Sequence, residues 1–146
     1  MPLIAPVLDE LASGRAHLVV GSRLAEHAET TRRVGREILS RTYSELLSWV
    51  ADPGFRDPQC GFKIMRADLV QDVLPLVADD GWFFDTEFLL LARERGWVIA
   101  EQPLRWTERR SSRVRIVPTV VEDLLGLARL TLPRILRRPR GRRLPR

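Results

Sequence analysis

Cysteine is almost absent from this 146-residue chain, where Cys60 stands alone. One thiol cannot build a disulfide framework, and a reducing compartment is the natural setting. Histidine is also scarce. His17 and His27 are the only two, far apart and without cysteine or carboxylate patterns around them, so they read as surface or strand residues and no metal site is expected in this chain. Lys63 is the single lysine among 24 basic residues, an imbalance expected of GC-rich coding, so each arginine carries less meaning than usual. No uncharged apolar run approaches the roughly 20 residues of a spanning helix, and Met1–Glu10 lacks the basic start and apolar stretch of a signal peptide. The expected location is therefore cytoplasmic.

What is present is an ordinary globular composition, 45% hydrophobic and 29% charged. Collagen-like, coiled-coil and wholly disordered chains are excluded, and a chain of this size buries roughly two thirds of its unfolded surface without staples. The net charge of +5 is unevenly placed. Seven of the 24 basic residues follow Pro133, where no acid falls, so residues 1–133 carry 17 basic against 19 acidic side chains, a net of −2. A domain that tracks a phosphate backbone needs its positive potential on the folded surface, and no nucleic-acid partner is expected.

Apolar spacing predicts a helix over Pro6–Ala12, stopped by Gly14, then a buried strand His17–Val20 closed by Gly21-Ser22-Arg23. Thr31–Val50 keeps a 3.6-residue period and reads as the longest helix. Asp52-Pro53-Gly54 and Asp57-Pro58 bound a loop, after which Cys60–Met65 re-enters as a strand. Leu69–Val77 reads as a helix interrupted by Pro75, Phe84–Arg95 as a helix stopped by Gly96, and Trp97–Trp106 as a strand despite Pro103. Thr119–Leu136 is amphipathic, with Val120, Val121, Leu124, Leu125, Leu127, Ala128 and Leu132 apolar. The Arg/Pro tail is expected to be disordered. The domain plan is thus 1–117 as an α/β unit, 118–136 as a C-terminal helix and 137–146 as tail.

Three segments place polar groups at element edges, where α/β proteins build sites. Gly21-Ser22-Arg23 ends a buried strand: glycine admits close approach, and the guanidinium fork suits a phosphate, although taken alone a tight turn with a surface arginine is the simpler reading. Asp57-Pro58-Gln59-Cys60-Gly61-Phe62-Lys63 sets a carboxylate and a lysine about a turn, either as an acid with a phosphate-binding cation or as a structural ion pair. Phe84-Asp85-Thr86-Glu87 opens a helix, where Asp85 and Glu87 act as capping carboxylates or as catalytic ones. Trp49, Trp82, Trp97 and Trp106 are core or rim aromatics, with Trp82 also placed to line a pocket.

In order, GSR after an apolar strand, a long helix, DPQCGFK, WFFDTEFLLLARERG, EQPLRW and SSRV before an amphipathic helix resemble the family-2 glycosyltransferases, especially the dolichyl- or polyprenyl-phosphate hexosyltransferases. The resemblance runs from about Pro6 to about Leu130. It implies a partial GT-A (Rossmann-like) fold, a mixed sheet flanked by helices, with this chain as the acceptor-side half. The family's nucleobase aspartate, DDGS-type turn and metal-binding DxD are not found, so the N-terminal nucleotide-binding half is expected to lie upstream of Met1. The chain by itself is expected to be a truncated, inactive form. Mg²⁺ or Mn²⁺ is implied for the complete enzyme, with none held by this chain alone.

The resemblance also implies partners and roles. Nucleotide sugar and polyprenyl phosphate are the expected substrates once the other half is supplied. An acceptor phosphate is already anionic and needs no base, only cations that hold two anionic substrates together; Arg23, Lys63, Ser112 and Arg113 are the matched candidates. If the acceptor is a hydroxyl, Asp57 or Asp85 takes its proton, with Glu87 orienting a cation. Gln59, Gly61 and Trp82 are assigned to the acceptor pocket. The C-terminal helix and arginine tail suit a peripheral position on an anionic inner membrane face, or equally a core-packing helix with a solvated tail. The competing readings are a non-catalytic remnant or scaffold that offers strand edges for self-association, and a nucleic-acid binder acting through the arginine tail.

Overall fold

The computed structural model describes residues 4–25, 29–31, 41–48, 54–107 and 116–137. Helix α1 (Ile4–Ala12) ends where Gly14 takes φ +73°, a left-handed stop that glycine adopts without a Cβ penalty. Strand β1 (Leu18–Ser22) follows and is buried along its whole length, as its unbroken apolar run requires. Short β2 (Glu29–Thr31) and helix α2 (residues 41–48) come next. Thr31 lies in β2, so the helix expected from Thr31 begins later; residues 32–40, 49 and 50 of that expectation lie outside the described residues.

Strand β3 (Lys63–Met65) leads into α3 (Ala67–Val73), which tightens into a 3₁₀ turn at Leu74–Leu76 where Pro75 removes a donor. Helix α4 (Phe84–Glu94) is followed by Gly96 at φ +86°. The single strand expected over Trp97–Trp106 is instead two, β4 (Ile99–Pro103) and β5 (Arg105–Thr107), in different sheets. Pro103 cannot donate to a ladder, and at Leu104 the chain leaves β4 by donating its amide to the Ser22 carbonyl at 3.0 Å. Helix α5 (Ile116–Arg137) is the longest described element. Of the disordered tail expected from residue 137, Arg137 is instead the last residue of α5, and residues 138–146 lie outside the described residues.

The result is an α/β arrangement with a small mixed sheet flanked by helices. Its order is β3-β1-β4, antiparallel between β1 and β3 and parallel between β1 and β4; β2 and β5 form a separate parallel pair. Alternation along β1 divides the interior. Val19 joins Val7, Leu11 and Ala16 under α1, whereas Leu18 and Val20 join the larger core with Leu47, Leu69, Val73, Phe83, Leu89 and Leu127.

Helix α5 docks through the stripe Asp123, Gly126, Leu127 and Thr131, all buried. A Cβ at Gly126 would overlap the ring of Phe83, itself 1% exposed. Gly126→Ala is therefore expected to destabilise the chain by about 1–3 kcal/mol, despite the better helix propensity of alanine. A lower urea midpoint at unchanged slope is the check; an unchanged midpoint would refute the close approach.

Candidate functional site

The parallel strands β1 and β4 end on the same side, at Ser22 and Pro103, and antiparallel β3 begins there at Lys63. Two strand ends and one strand start thus converge at one edge, the position where open α/β sheets place ligands. Gly21 allows the convergence: its amide donates to the Phe62 carbonyl at 2.8 Å, and a Cβ there would overlap the Leu104 side chain. Leu104 is fixed in turn by its bond to Ser22.

Arg23, one residue past β1, grips Asp57 with both arms of its guanidinium. Nε reaches Oδ2 at 2.6 Å and Nη2 reaches Oδ1 at 2.7 Å, while the Arg23 amide also donates to Oδ2 at 2.9 Å. Asp57 is 3% exposed, so this pair is desolvated and bidentate. Glu101 on β4 holds the loop from beneath, its Oε1 accepting the amides of Arg56 at 2.6 Å and Asp57 at 3.3 Å. The sequence set Asp57 opposite Lys63; in the structure each has a different partner. Lys63 Nζ donates to the Cys60 carbonyl at 2.7 Å and pairs with Asp85 Oδ2 at 3.0 Å across to the start of α4. The Lys63 side chain is 10% exposed and that of Asp85 42%, so the pair is buried at its cation and open at its carboxylate.

Neither Asp85 nor Glu87 caps α4. The N-cap is Phe83 in helical backbone conformation with no side-chain cap, which leaves both carboxylates for tertiary partners. Glu87, 2% exposed, accepts the Asp79 amide at 2.8 Å and Arg129 Nη2 at 2.7 Å, tying α5 to the turn before α4. Gln59 also points to α5 and donates its amide to Asp123 Oδ2 at 2.6 Å. Gly61 is exposed with open space where a Cβ would stand, and Trp82 is half-exposed. Ser112, Arg113, His27 and Trp49 lie outside the described residues, as does the Trp106 side chain. Trp97 donates its indole to Asp72 at 2.9 Å and meets His17 edge-on, a rim packing role. The Cys60 thiol is pushed up in pKa by burial, which keeps it a poor nucleophile.

The buried polar side chains behind this edge were not legible as site residues. Asp123 is 3% exposed; its Oδ1 has no hydrogen-bond partner, and burial pushes its pKa up to about 6, reinforced by Asp79 and Glu122 and opposed by Gln59. Tyr43 on α2 donates to buried Thr86 at 3.1 Å, and burial raises its pKa. The available signal was Asp123 standing four residues before Leu127 and eight before Thr131, an acid in the register of a buried stripe. Among the described residues no three His, Cys, Asp or Glu side chains gather to hold a metal; Asp57, Asp85 and Glu87 each face a separate cation.

The described edge is thus a strand-end cluster with a desolvated arginine clamp and a shielded lysine, and the whole sequence is similar to known proteins of one kind. Glycosyltransferase AglD of Haloferax volcanii is 31% identical over 141 residues, 90% of this chain and 22% of that protein. A dolichyl-phosphate beta-glucosyltransferase, ALG5C, of Trichomonas vaginalis is 34% identical over 101 residues, 68% of this chain and 30% of the relative. The dolichyl-phosphate beta-glucosyltransferase of Saccharomyces cerevisiae is 28% identical over 102 residues, again 68% of this chain and 30% of the relative. The homologues of this chain are therefore glycosyltransferases, and its match to a limited part of their length is consistent with a partial family-2 glycosyltransferase. It spans about a fifth to a third of the length of the curated relatives it matches. No family model matches the chain. No solved structure matches it.

Proposed function

We propose that this chain forms the acceptor side of a GT-A hexosyltransferase that moves a hexose from a nucleotide sugar to a polyprenyl phosphate of the dolichyl type. The observation that carries the reading is Lys63: a cation largely withdrawn from water, held at the strand-end edge by the Cys60 carbonyl and by the half-open Asp85. An arriving phosphate takes the place of Asp85 beside Lys63, trading one anion for another without leaving the ammonium unpaired. Arg23 serves differently. Its fork is occupied by Asp57, so it shapes the loop and contributes positive potential without a free face for bidentate capture.

The same geometry ranks the two carboxylates. To accept a proton, Asp57 would have to give up a bidentate guanidinium in a desolvated place, whereas Asp85 meets, among the described residues, a single cation, Lys63, and is half-open to solvent. A phosphate acceptor, already anionic, needs neither as base. The exposed stripe Val121, Leu124, Leu125 and Leu132 on α5, with the arginines of residues 134–146 following it in sequence, supports a peripheral position on an anionic membrane. Among the described residues no helix is long and apolar enough to cross a membrane.

Calorimetric titration of this chain with farnesyl phosphate, with farnesol as control, tests the reading. Binding of the phosphate and not of the alcohol is expected, as is sedimentation with anionic but not zwitterionic liposomes. UDP-glucose with Mg²⁺ is expected to give no heat, because this sequence contains no Asp-x-Asp pair. Equal affinity for farnesol and its phosphate would refute the phosphate site.

A further inference from the structure

We propose that Asp123 is a positioning residue of the strand-end site, holding the Asp57–Cys60 turn against α5 through Gln59 and coupling the placement of that turn to its own protonation. The inference rests on the acceptor-side reading only for the meaning of the site; the coupling itself stands on geometry.

The path is short. Gln59 donates to Asp123 Oδ2 at 2.6 Å, and Gln59 sits between Asp57, which Arg23 clamps, and Cys60, whose carbonyl holds Lys63. The turn closes on itself through the Cys60 amide, which donates to the Asp57 carbonyl at 3.2 Å. Movement of Gln59 therefore moves the carbonyl that positions the shielded lysine. On the other side, Asp123 belongs to the stripe by which α5 docks, beside Gly126 and Leu127.

This carboxyl is poorly suited to carry charge where it lies. It is 3% exposed, and Oδ1 has no donor. The charged and titratable groups that face it add to the strain: Asp79 from the turn before α4, Glu122 from α5 itself, and the Tyr43 phenol of α2, whose proton is committed to Thr86. Arg129, farther along α5, is occupied by Glu87 at 2.7 Å and Asp79 at 3.6 Å. Among the described residues, Gln59 supplies the hydrogen bond that favours the ionised form.

The sign follows from these groups. A folded-state pKa of about 6, against an ordinary 3.8, means that the docked state binds the proton more tightly than the undocked one. The docked arrangement is strongest below pH 3.8 and weakens as pH rises through about 6, by about 100-fold in its equilibrium for a difference of about two pKa units.

The test is a pH titration of the whole ¹⁵N-labelled chain between pH 4.5 and 7.5. It follows the Gln59 side-chain amide, the Cys60 and Gly61 backbone amides and hydrogen exchange across α5. A shared midpoint near 6 is expected in all three amides, with α5 exchange corrected for intrinsic rate faster at pH 7.5 than at pH 5. In Asp123→Asn the midpoint is expected to vanish and the pH dependence of α5 exchange with it. In Gln59→Ala the transition of the α5 amides should move above 6, because the donor that favours the ionised form is gone. Amides that do not titrate in the wild type, or that titrate alike in Asp123→Asn, would overturn the proposal. If Asp123→Asn does not fold, an unmoved or lowered midpoint in Gln59→Ala overturns it instead. Absence of farnesyl phosphate binding would refute the acceptor reading and leave the titration unchanged, so the two failures are separable.

Discussion

Lys63→Ala is expected to lower hexosyl transfer by roughly 30- to 1000-fold in a chimera where this chain replaces the matching segment of the Haloferax volcanii glycosyltransferase. The physical reason is the withdrawal of Lys63 from water: its side chain is 10% exposed, so its field on a bound phosphate is weakly screened. Removing a positioned charge from such a site costs about 2–4 kcal/mol of transition-state stabilisation. At about 1.4 kcal/mol per decade this is the stated loss. Asp85→Asn separates the two possible acceptors. For a phosphate acceptor it removes a competing anion beside Lys63, so transfer holds or rises; for a hydroxyl acceptor it removes the open base, and transfer collapses. Radiolabelled hexose transfer to a short polyprenyl phosphate reads both variants, and wild-type turnover in Lys63→Ala would end the phosphate assignment.

Arg23→Ala is expected to destabilise the chain by about 3–5 kcal/mol, as loss of one partner from a buried ion pair does. Asp57, 3% exposed, would keep, among the described residues, the Arg23 backbone amide as its carboxylate's hydrogen-bond donor. For a chain of this size that corresponds to a fall of about 6–20 °C in Tm, read by circular dichroism. Replacing both partners, Arg23→Met with Asp57→Leu, is expected to recover most of the loss, since the apolar pair leaves no charge uncompensated. If the double variant were no more stable than Arg23→Ala, the burial of the pair would not be the cause.

Both effects concern a pairing that spacing along the chain could not reveal. Asp57 and Lys63 are six residues apart and appear as partners across a turn, yet Arg23, 34 residues before Asp57, takes the carboxylate, and Asp85 takes the lysine. Proximity here is set by the β3-β1-β4 order, which brings the end of β1 beside the start of β3. The same holds for Glu87, whose local context at a helix start reads as a cap but whose partner, Arg129, lies 42 residues on.

Helix α5 shows the limit of periodicity. Of the apolar residues that spacing picks out, Val121, Leu124, Leu125 and Leu132 are exposed, whereas Leu127 is buried. The packed stripe contains Asp123, Gly126 and Thr131, because the Phe83 ring requires a glycine and because Gln59 offers a donor to the acid. A helix apolar on two faces presents both to a period count. Only the shape and donors of the surface it meets decide which one is buried.

By itself the sequence determined most of the elements and their order, though not β2 or the division of β4 from β5: a buried β-branched run made β1, Gly14 and Gly96 ended helices, and Pro75 and Asp57-Pro58 marked breaks, all through local backbone preferences. It also carried the likeness to glycosyltransferases, since ordered motifs survive where single ones are ambiguous. The tertiary structure alone decided which charges meet, that Trp97–Trp106 divides between two sheets, and that Asp123 is buried. Those outcomes depend on non-local contacts, whose energies are fixed by which side chains the chain path brings within bonding distance and removes from water, and no local propensity encodes that path.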